Sequence, residues 1–493
     1  MRVISVKKSI WLILMVFFLL LVTAGIFLLP SGDGGADFSQ LILLVAGVYA
    51  AYILFAMVES EKQELNPFTD SGKRAVIIMA VVITAGLVLR VLIGLAVPGY
   101  PADMSCWTAW SQAAAGKGLF SVYENTSFLD YPPGYLYILH VLGNIGNLLG
   151  IESYTPLYNL ILKIPAIIAD LGMAWMLYAL GKKENNIKLG LLLAVLYAIN
   201  PLTILNSAAW GQIDSILTIA IAGYLILLYK KRIATAALVF VAGLLLKPQM
   251  LFFGPVLAVV FIKHLSEDGI RKGLRTFLFG FTGGAALFVL AVLPFSIGKE
   301  WTWIIDKYMG TINSYPYATL NAANLFGLLK FNWQPIENTF LGVKLSVLGM
   351  AGLVFSVFVY FLLSFINRKR SDIFILTALL MTGIYALGHK MHERYLFPVM
   401  VILLIGFIYQ KRSELLFLYG LVTTALFINV AQVLAVIHIP KEDALYRLSS
   451  LVILVSYIIL IVSVFVYSFK SRKVIEEDVI CGEQEAESCQ DNS

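Results

Sequence analysis

Long apolar runs recur along the chain, separated by short polar stretches that are often basic. An α-helix rises 1.5 Å per residue, so about 20 apolar residues cross the hydrocarbon core of a bilayer. Runs of this kind occupy 10–30, 41–58, 75–97, 157–180, 187–206, 212–229, 275–297, 340–366, 372–388, 395–409, 414–437 and 448–469. Two shorter runs, 233–246 and 249–262, flank Lys247-Pro248. Another, 131–150, opens on Pro132-Pro133-Gly134 and carries His140, Asn144 and Asn147. The pattern predicts an all-α polytopic membrane protein. The first run is longer than a signal h-region and no small-x-small cleavage site follows it, so it reads as an uncleaved span.

Basic residues set the orientation, because Lys and Arg concentrate in cytoplasmic loops. Clusters stand at Lys7-Lys8, Lys73-Arg74, Lys182-Lys183, Lys230-Lys231-Arg232, Arg271-Lys272, Arg368-Lys369-Arg370, Lys411-Arg412 and Arg472-Lys473. Placing all of them in the cytoplasm forbids 131–150 from crossing, so it becomes an interfacial helix in the first large outer loop. The same parity makes 233–246 and 249–262 a pair of short crossings. About 14 transmembrane helices result, with both termini cytoplasmic. Two outer segments, 98–156 and 298–339, are long and dense in Trp, Tyr, Pro and Gly, whereas the inner connections are short. Long loops on one face are where function concentrates. The acidic tail 474–493 is expected to be disordered.

Composition agrees. Of 493 residues, 59% are hydrophobic and 13% charged, and the mean hydropathy is +0.84. Soluble domains carry about 25% charged residues. The net charge of +6 follows from the inner clusters and does not imply nucleic acid. The three cysteines are Cys106, Cys481 and Cys489, too few and too dispersed for a disulfide framework or a metal site. No internal repeat of membrane-span length is evident, which removes the usual support for a transporter. A lipid-linked sugar or solute transporter or flippase is nevertheless the alternative of another class.

Candidate chemistry clusters on the outer side. Asp103, in VPGYPADMSCWTAW, stands at the membrane edge among Trp107 and Trp110. A carboxylate there suits a general base toward a hydroxyl; it would equally suit a cap for the helix 104–116. Arg90 and Lys163 fall inside spans, where a cation needs a partner or a cavity. Lys163 and Asp170 share a helix face and would either pair with each other or serve a lipid phosphate. Lys247-Pro248-Gln249 breaks a helix pair at depth, a place to meet a phosphate or a lysine that snorkels. GHKMHERYLFP, at 388–398, gathers His389, Lys390, His392, Glu393 and Arg394. That set suits phosphate better than zinc, or is a solvated turn. NPLTILNSAAWGQIDSI (200–216) contributes Trp210, Gln212 and Asp214, and SYPYATLNAANLFGLL (314–329) adds Tyr, Asn and Thr groups suited to a sugar or to an interfacial belt.

Taken in order, these motifs resemble the GT-C glycosyltransferases. The resemblance rests on Arg90, PxD at Asp103, Trp110, Gly118, Tyr123, DYPPGY (130–135), KIPAIIAD (163–170), NPLTILNSAAWGQIDSI, LLKPQ (245–249) and HKMHERYLFP (389–398). It covers about 75–410. The group most similar is the bacterial mannosyltransferases related to the second mannosyltransferase of GPI-anchor assembly. Dolichyl-phosphate-glucose-dependent glucosyltransferases share related YPP, KQM and HxHEK motifs.

The resemblance implies a GT-C fold and a polyprenyl-phosphate-linked sugar donor. It also implies inverting transfer of a hexose, mannose by the nearest group, to a lipid, glycan or protein acceptor on the outer face of the plasma membrane. Asp103 is then the catalytic base. Arg90, Lys247, His392 and Arg394 are the candidates for the donor phosphate. Trp110, Asp130, Tyr131, Lys163, Asp170, Trp210, Gln212, Asp214, His389 and Glu393 are candidates for support or for sugar and acceptor binding. No cofactor is implied. Many relatives pair the Asp with a second acid, sometimes with a metal; here Met104 follows Asp103, and no metal is expected. The expected organisation is two N-terminal helices in 1–74, the glycosyltransferase module in 75–410, further spans in 411–473 and the tail.

Overall fold

The computed structural model describes residues 10–11, 13–20, 22, 35–65, 72–367 and 369–490. The expected span 10–30 lies largely outside the described residues, as does the end of the tail. Helices α1 (Gly35–Leu65) and α2 (Gly72–Ala96) come first. Two short helices follow, α3 (Pro101–Gly116) and α4 (Pro133–Leu148). Then come α5 (Pro156–Lys183), α6 (Ile187–Ala198) and α7 (Pro201–Ile204), the last running into a wide π-type turn over Leu205–Trp210. Next are α8 (Asp214–Tyr229), α9 (Ile233–Leu246), α10 (Gly254–Asp268), α11 (Ile270–Val292) and α12 (Trp303–Asn313). The chain closes with α13 (Leu325–Leu328), α14 (Leu345–Ile366), α15 (Asp372–Leu387), α16 (Phe397–Gln410), α17 (Ser413–Val436) and α18 (Ala444–Gln490).

This is an all-α polytopic membrane protein. Among the described residues, eight helices are long and apolar enough to cross a bilayer, and α6 with α7 and its π-type turn forms a further span bent by 48°. Four shorter apolar helices, α8, α9, α15 and α16, pack among them. They correspond in position to the spans read from the apolar runs. Neither α3 nor α4 is a candidate span; they pack on each other beside the first turns of α5 and the last turn of α9. Tyr158 of α5 reaches Ser111 of α3 at 2.8 Å. The apolar window of α17 is 100% buried, against 11% for α2, so α17 stands at the centre of the bundle and α2 faces lipid.

Local sequence explains many helix starts. Proline at the first helical position costs no hydrogen bond there and presets φ, and α3, α4, α5 and α7 all open this way. Side-chain caps reinforce four starts: Thr155 accepts from Tyr158 N, Asn186 from Leu189 N, Asn200 from Leu202 N and Asn324 from Gly327 N.

Two expectations differ. Lys344 was placed inside a span from 340, but Thr339–Phe340 (β2) pairs antiparallel with Val343–Lys344 (β3) and the helix begins at Leu345. Lys344 instead meets Glu337 at 2.6 Å, since an exposed hairpin spares the lysine the cost of burial. The expected disordered tail is helical through Gln490, continuing α18. Its Glu- and Ala-containing sequence has no Pro to stop a helix that is already nucleated.

Candidate functional site: an acidic and cationic cleft at one end of the bundle

Asp103 sits in the first turn of α3. Its Oδ2 accepts from Trp210 Nε1 at 2.6 Å and from Gln212 Nε2 at 2.5 Å. Arg394 Nη2 approaches the same oxygen at 3.6 Å. No hydrogen bond to Oδ1 comes from the described residues, and the side chain, 22% exposed, lines the cleft. Backbone geometry builds this junction. Gly99 has φ +105°, and a Cβ there would stand 2.9 Å from Trp210 O and closer still to Met104. Gly211 has φ +90°, and a Cβ there would meet Met104 Sδ at 2.5 Å. Without side chains at these two turns the segments close on each other, and Tyr100 N donates to Trp210 O at 3.0 Å. Tyr100 also stacks on the Trp210 ring at 4.5 Å.

A chain of charge runs from Asp103 into the bundle. Arg394 Nε faces Asp214 Oδ2 at 3.7 Å, and its Nη1 donates to Glu393 Oε1. The guanidinium also lies 5.3 Å from the centre of the Trp210 ring. Asp214 Oδ1 accepts from Lys247 Nζ at 2.5 Å. That is the one hydrogen bond the Lys247 ammonium makes among the described residues, and an ammonium has three donors. Lys247 is brought here because α9 ends at Leu246 and proline at 248 prevents the helix from continuing.

The 388–396 loop is fixed by strand pairing. Thr319–Leu320 (β1) runs parallel to Met391–His392 (β4), with Leu320 opposite His392. Tyr315 and Tyr395 stand about the His392 ring at 5.1 and 5.0 Å. Burial, then the charges of Arg394 and Lys247, hold the His392 pKa well below the usual histidine value. His392 is therefore neutral near pH 7. On the opposite wall, Trp107 packs edge-on against Trp110, Tyr131 and Tyr135. Trp110 donates to Phe128 O at 2.7 Å, Tyr123 to Tyr131 O at 2.8 Å and Thr311 to Asp130 O at 2.8 Å. Desolvation raises the Asp130 carboxyl, with a smaller push from Asp103 and against the pull of its own backbone hydrogen bond, Lys247 and Lys307.

Together these groups line a cleft open to solvent. Of the residues expected from the sequence, Asp103, Trp110, Asp130, Tyr131, Gln212, Lys247, His392 and Arg394 form its wall. Trp210, Asp214 and Glu393 brace that wall from behind. Trp107, Cys106, Gln249, Tyr315 and Tyr395 line it as well. They had not been singled out as site residues, although each lies within or beside a motif that had. Buried polar atoms without hydrogen-bond partners cluster here too: Trp107 Nε1, Gln249 Oε1 and Arg394 Nε.

Four expected residues are elsewhere. Arg90 is 0% exposed; its guanidinium serves Asp170 at 3.4 Å, Thr203 Oγ1 at 2.9 Å and Ala198 O at 3.0 Å. It locks α2 to α5 and the α6–α7 bend and has no outlet to the cleft. Asp170 also accepts from Ser215 at 2.6 Å and Tyr197 at 3.1 Å. The expected pairing of Lys163 with Asp170 is not made, because seven residues of helix separate them by about 10 Å. Lys163 instead donates to Val97 O at 2.6 Å and Gly94 O at 3.2 Å, satisfying the last carbonyls of α2. His389 packs on Gly349 of α14, pointing away from the cleft. The 314–329 segment, read as a sugar platform, supplies only Tyr315 to the wall. Asn321 and Asn324 are spent on Ile437 O and Gly388 O. Among the described residues, no three His, Cys, Asp or Glu side chains gather as a metal site.

Fold and cleft define a multi-pass membrane protein with a polar site at one end of its helices. A family model described as "GPI transamidase subunit PIG-U" matches residues 113–323. The match covers less than half of the chain. It includes Asp130, Trp210, Gln212, Asp214 and Lys247 but neither Asp103 nor Arg394. No curated protein matches the sequence.

Proposed function

We propose that the protein transfers a hexose, by resemblance mannose, from a polyprenyl-phosphate donor to an acceptor hydroxyl, with Asp103 as the base. One observation carries this reading. Asp103 is anchored through one oxygen on the wall of a cleft that Lys247 and Arg394 also line, with Arg394 3.6 Å from the anchored oxygen. Oδ1 takes the proton of the acceptor hydroxyl. The freed oxygen attacks the anomeric carbon from the face opposite the phosphate. The bond from that carbon to the phosphate oxygen breaks, and polyprenyl phosphate leaves with the electron pair. Two ammonium donors of Lys247 and the guanidinium of Arg394 would stabilise the charge that develops on the leaving oxygen. Neutral His392 donates or accepts one hydrogen bond beside them. The edge-on and tilted aromatic wall of Trp107, Trp110 and Tyr131 suits a pyranose face.

The acids Asp103, Asp130, Asp214 and Glu393 outnumber the cations Lys247 and Arg394 at this site. A donor phosphate therefore enters at the expense of existing pairs. The cleft lies at the helix ends opposite the basic clusters, which supports an outer-face site by the positive-inside rule.

The family match favours a second reading: a subunit that holds a glycolipid without reacting it. The experiment separating the two uses the purified full chain in liposomes with labelled polyprenyl-phosphate mannose and, in parallel, polyprenyl-phosphate glucose. Release of polyprenyl phosphate dependent on an added membrane acceptor fraction supports transfer. Retention of intact donor, or movement across the bilayer without cleavage, rejects it.

A further inference from the structure

A second cavity lies at the far end of the same helices. The first residue of α8, Asp214, braces the cleft through Lys247, and the last two, Leu228 and Tyr229, line the second cavity. Along a helix that is about 22 Å. The cavity lies between α8, α10, α14 and α15 and is partly open to solvent. Its inner wall is apolar: Val259, Val260, Tyr360 and Leu376. Its rim is cationic, with Lys263, Lys369 and Arg370.

These cations are underused. Lys263 Nζ donates to the backbone oxygen of Asn367 at 3.0 Å, and Lys369 Nζ to the Tyr467 hydroxyl at 3.0 Å. Neither makes an ion pair among the described residues, and Arg370 makes none either. The nearby carboxylates are already engaged. Glu267 meets Lys231 at 2.9 Å, and Asp268 meets Lys272 at 3.1 Å and His264 at 2.8 Å. Asp372 accepts from Gln410 at 2.9 Å and lies within electrostatic reach of Arg412, Lys369 and Lys263, without a direct ion pair to either lysine. Just outside the rim, Ile262, Leu362 and Phe365 are 42%, 50% and 49% exposed on helices that face lipid. The apolar floor is thus continuous with the lipid-facing surface of α10 and α14.

We infer that this cavity is a binding site for an anionic phospholipid, with its phosphate on Lys263, Lys369 and Arg370 and an acyl chain against Val260 and Tyr360. A soluble anion would use the rim and leave the apolar floor wet. A zwitterionic lipid would bring its own cation to three unpaired ones. An anionic phospholipid satisfies both parts at once. The site does not depend on the chemistry proposed for the cleft.

Native mass spectrometry of the purified full chain tests this, after exchange into detergent containing phosphatidylglycerol or phosphatidylcholine. The wild-type chain should retain one phosphatidylglycerol in preference to phosphatidylcholine, and inorganic phosphate should not displace it. Each neutralised cation should weaken retention by about fivefold, so K263Q/K369Q/R370Q should lose about a hundredfold. V260W, which fills the floor and keeps the charges, should lose the lipid as well. R370Q, at an exposed position, carries the test alone should the triple variant fail to fold. Equal retention of the two lipids overturns the inference, as does unchanged retention in R370Q. Displacement by phosphate with V260W unaffected would make the rim a free-phosphate site and also overturn it.

Discussion

At the residue scale, cations that look alike in the sequence divide by their partners. Lys247 and Arg394 border the cleft, whereas Arg90 and Lys163 are structural. Arg90→Met leaves Asp170 charged and uncompensated in the bundle, at a cost of about 3–5 kcal/mol. The double variant R90M/D170L should recover the thermal midpoint of the purified protein and keep transfer activity. Recovered stability with lost donor use would return Arg90 to the phosphate. His392 gives a pH signature. Unfolded, its imidazole takes a proton near pH 6.5; folded, burial beside Arg394 and Lys247 postpones protonation to well below that. Between the two values the unfolded chain binds more protons, so stability falls as pH drops below about 6.5. His392→Asn should flatten that part of the thermal-midpoint curve, and parallel curves for the two proteins would contradict its neutral state. Which cation pairs with which acid was not legible in sequence. The Arg90–Asp170 bond joins residues 80 positions apart on different helices. Only the seven-residue spacing of Lys163 and Asp170 was visible beforehand.

At the element scale, the cleft is made by turns that break helices. The 97–100 turn, the π-type turn ending at Gly211, the Pro248 break and the 388–396 loop each deliver one wall. All four were visible as Gly, Pro or charge interruptions in apolar runs. Their convergence on one cleft was not, because no local signal states which breaks meet. The short β1–β4 pairing was likewise hidden, since two-residue strands leave no periodicity. Gly99→Ala places a Cβ against Met104 and Trp210 O at a φ that disfavours alanine. It should shift Trp210 and Gln212 away from Asp103 and lower turnover by about tenfold or more, with donor affinity changed less. Turnover equal to wild type would show that the close approach of the two turns is unimportant.

At the scale of the whole molecule, the apolar runs and helix ends were legible nearly in full, because bilayer thickness imposes one length on every span. Of the shorter helices, α8, α15 and α16 were read directly as apolar runs, and α9 was included on charge parity. Orientation has a direct check: K117C, exposed beside α3, should label with a membrane-impermeant maleimide in intact cells, while K272C should not. The reverse pattern would put the cleft in the cytoplasm. The central claim is that Asp103 is the base, and it is tested most directly by Asp103→Asn in reconstituted vesicles supplied with labelled polyprenyl-phosphate sugar and acceptor. The amide keeps the size of the side chain but cannot take the proton. Release of polyprenyl phosphate should fall by about 10²–10⁴-fold while membrane insertion and the thermal midpoint stay near wild type. Turnover within about twofold of wild type would contradict a catalytic Asp103 and leave the cleft as a binding site.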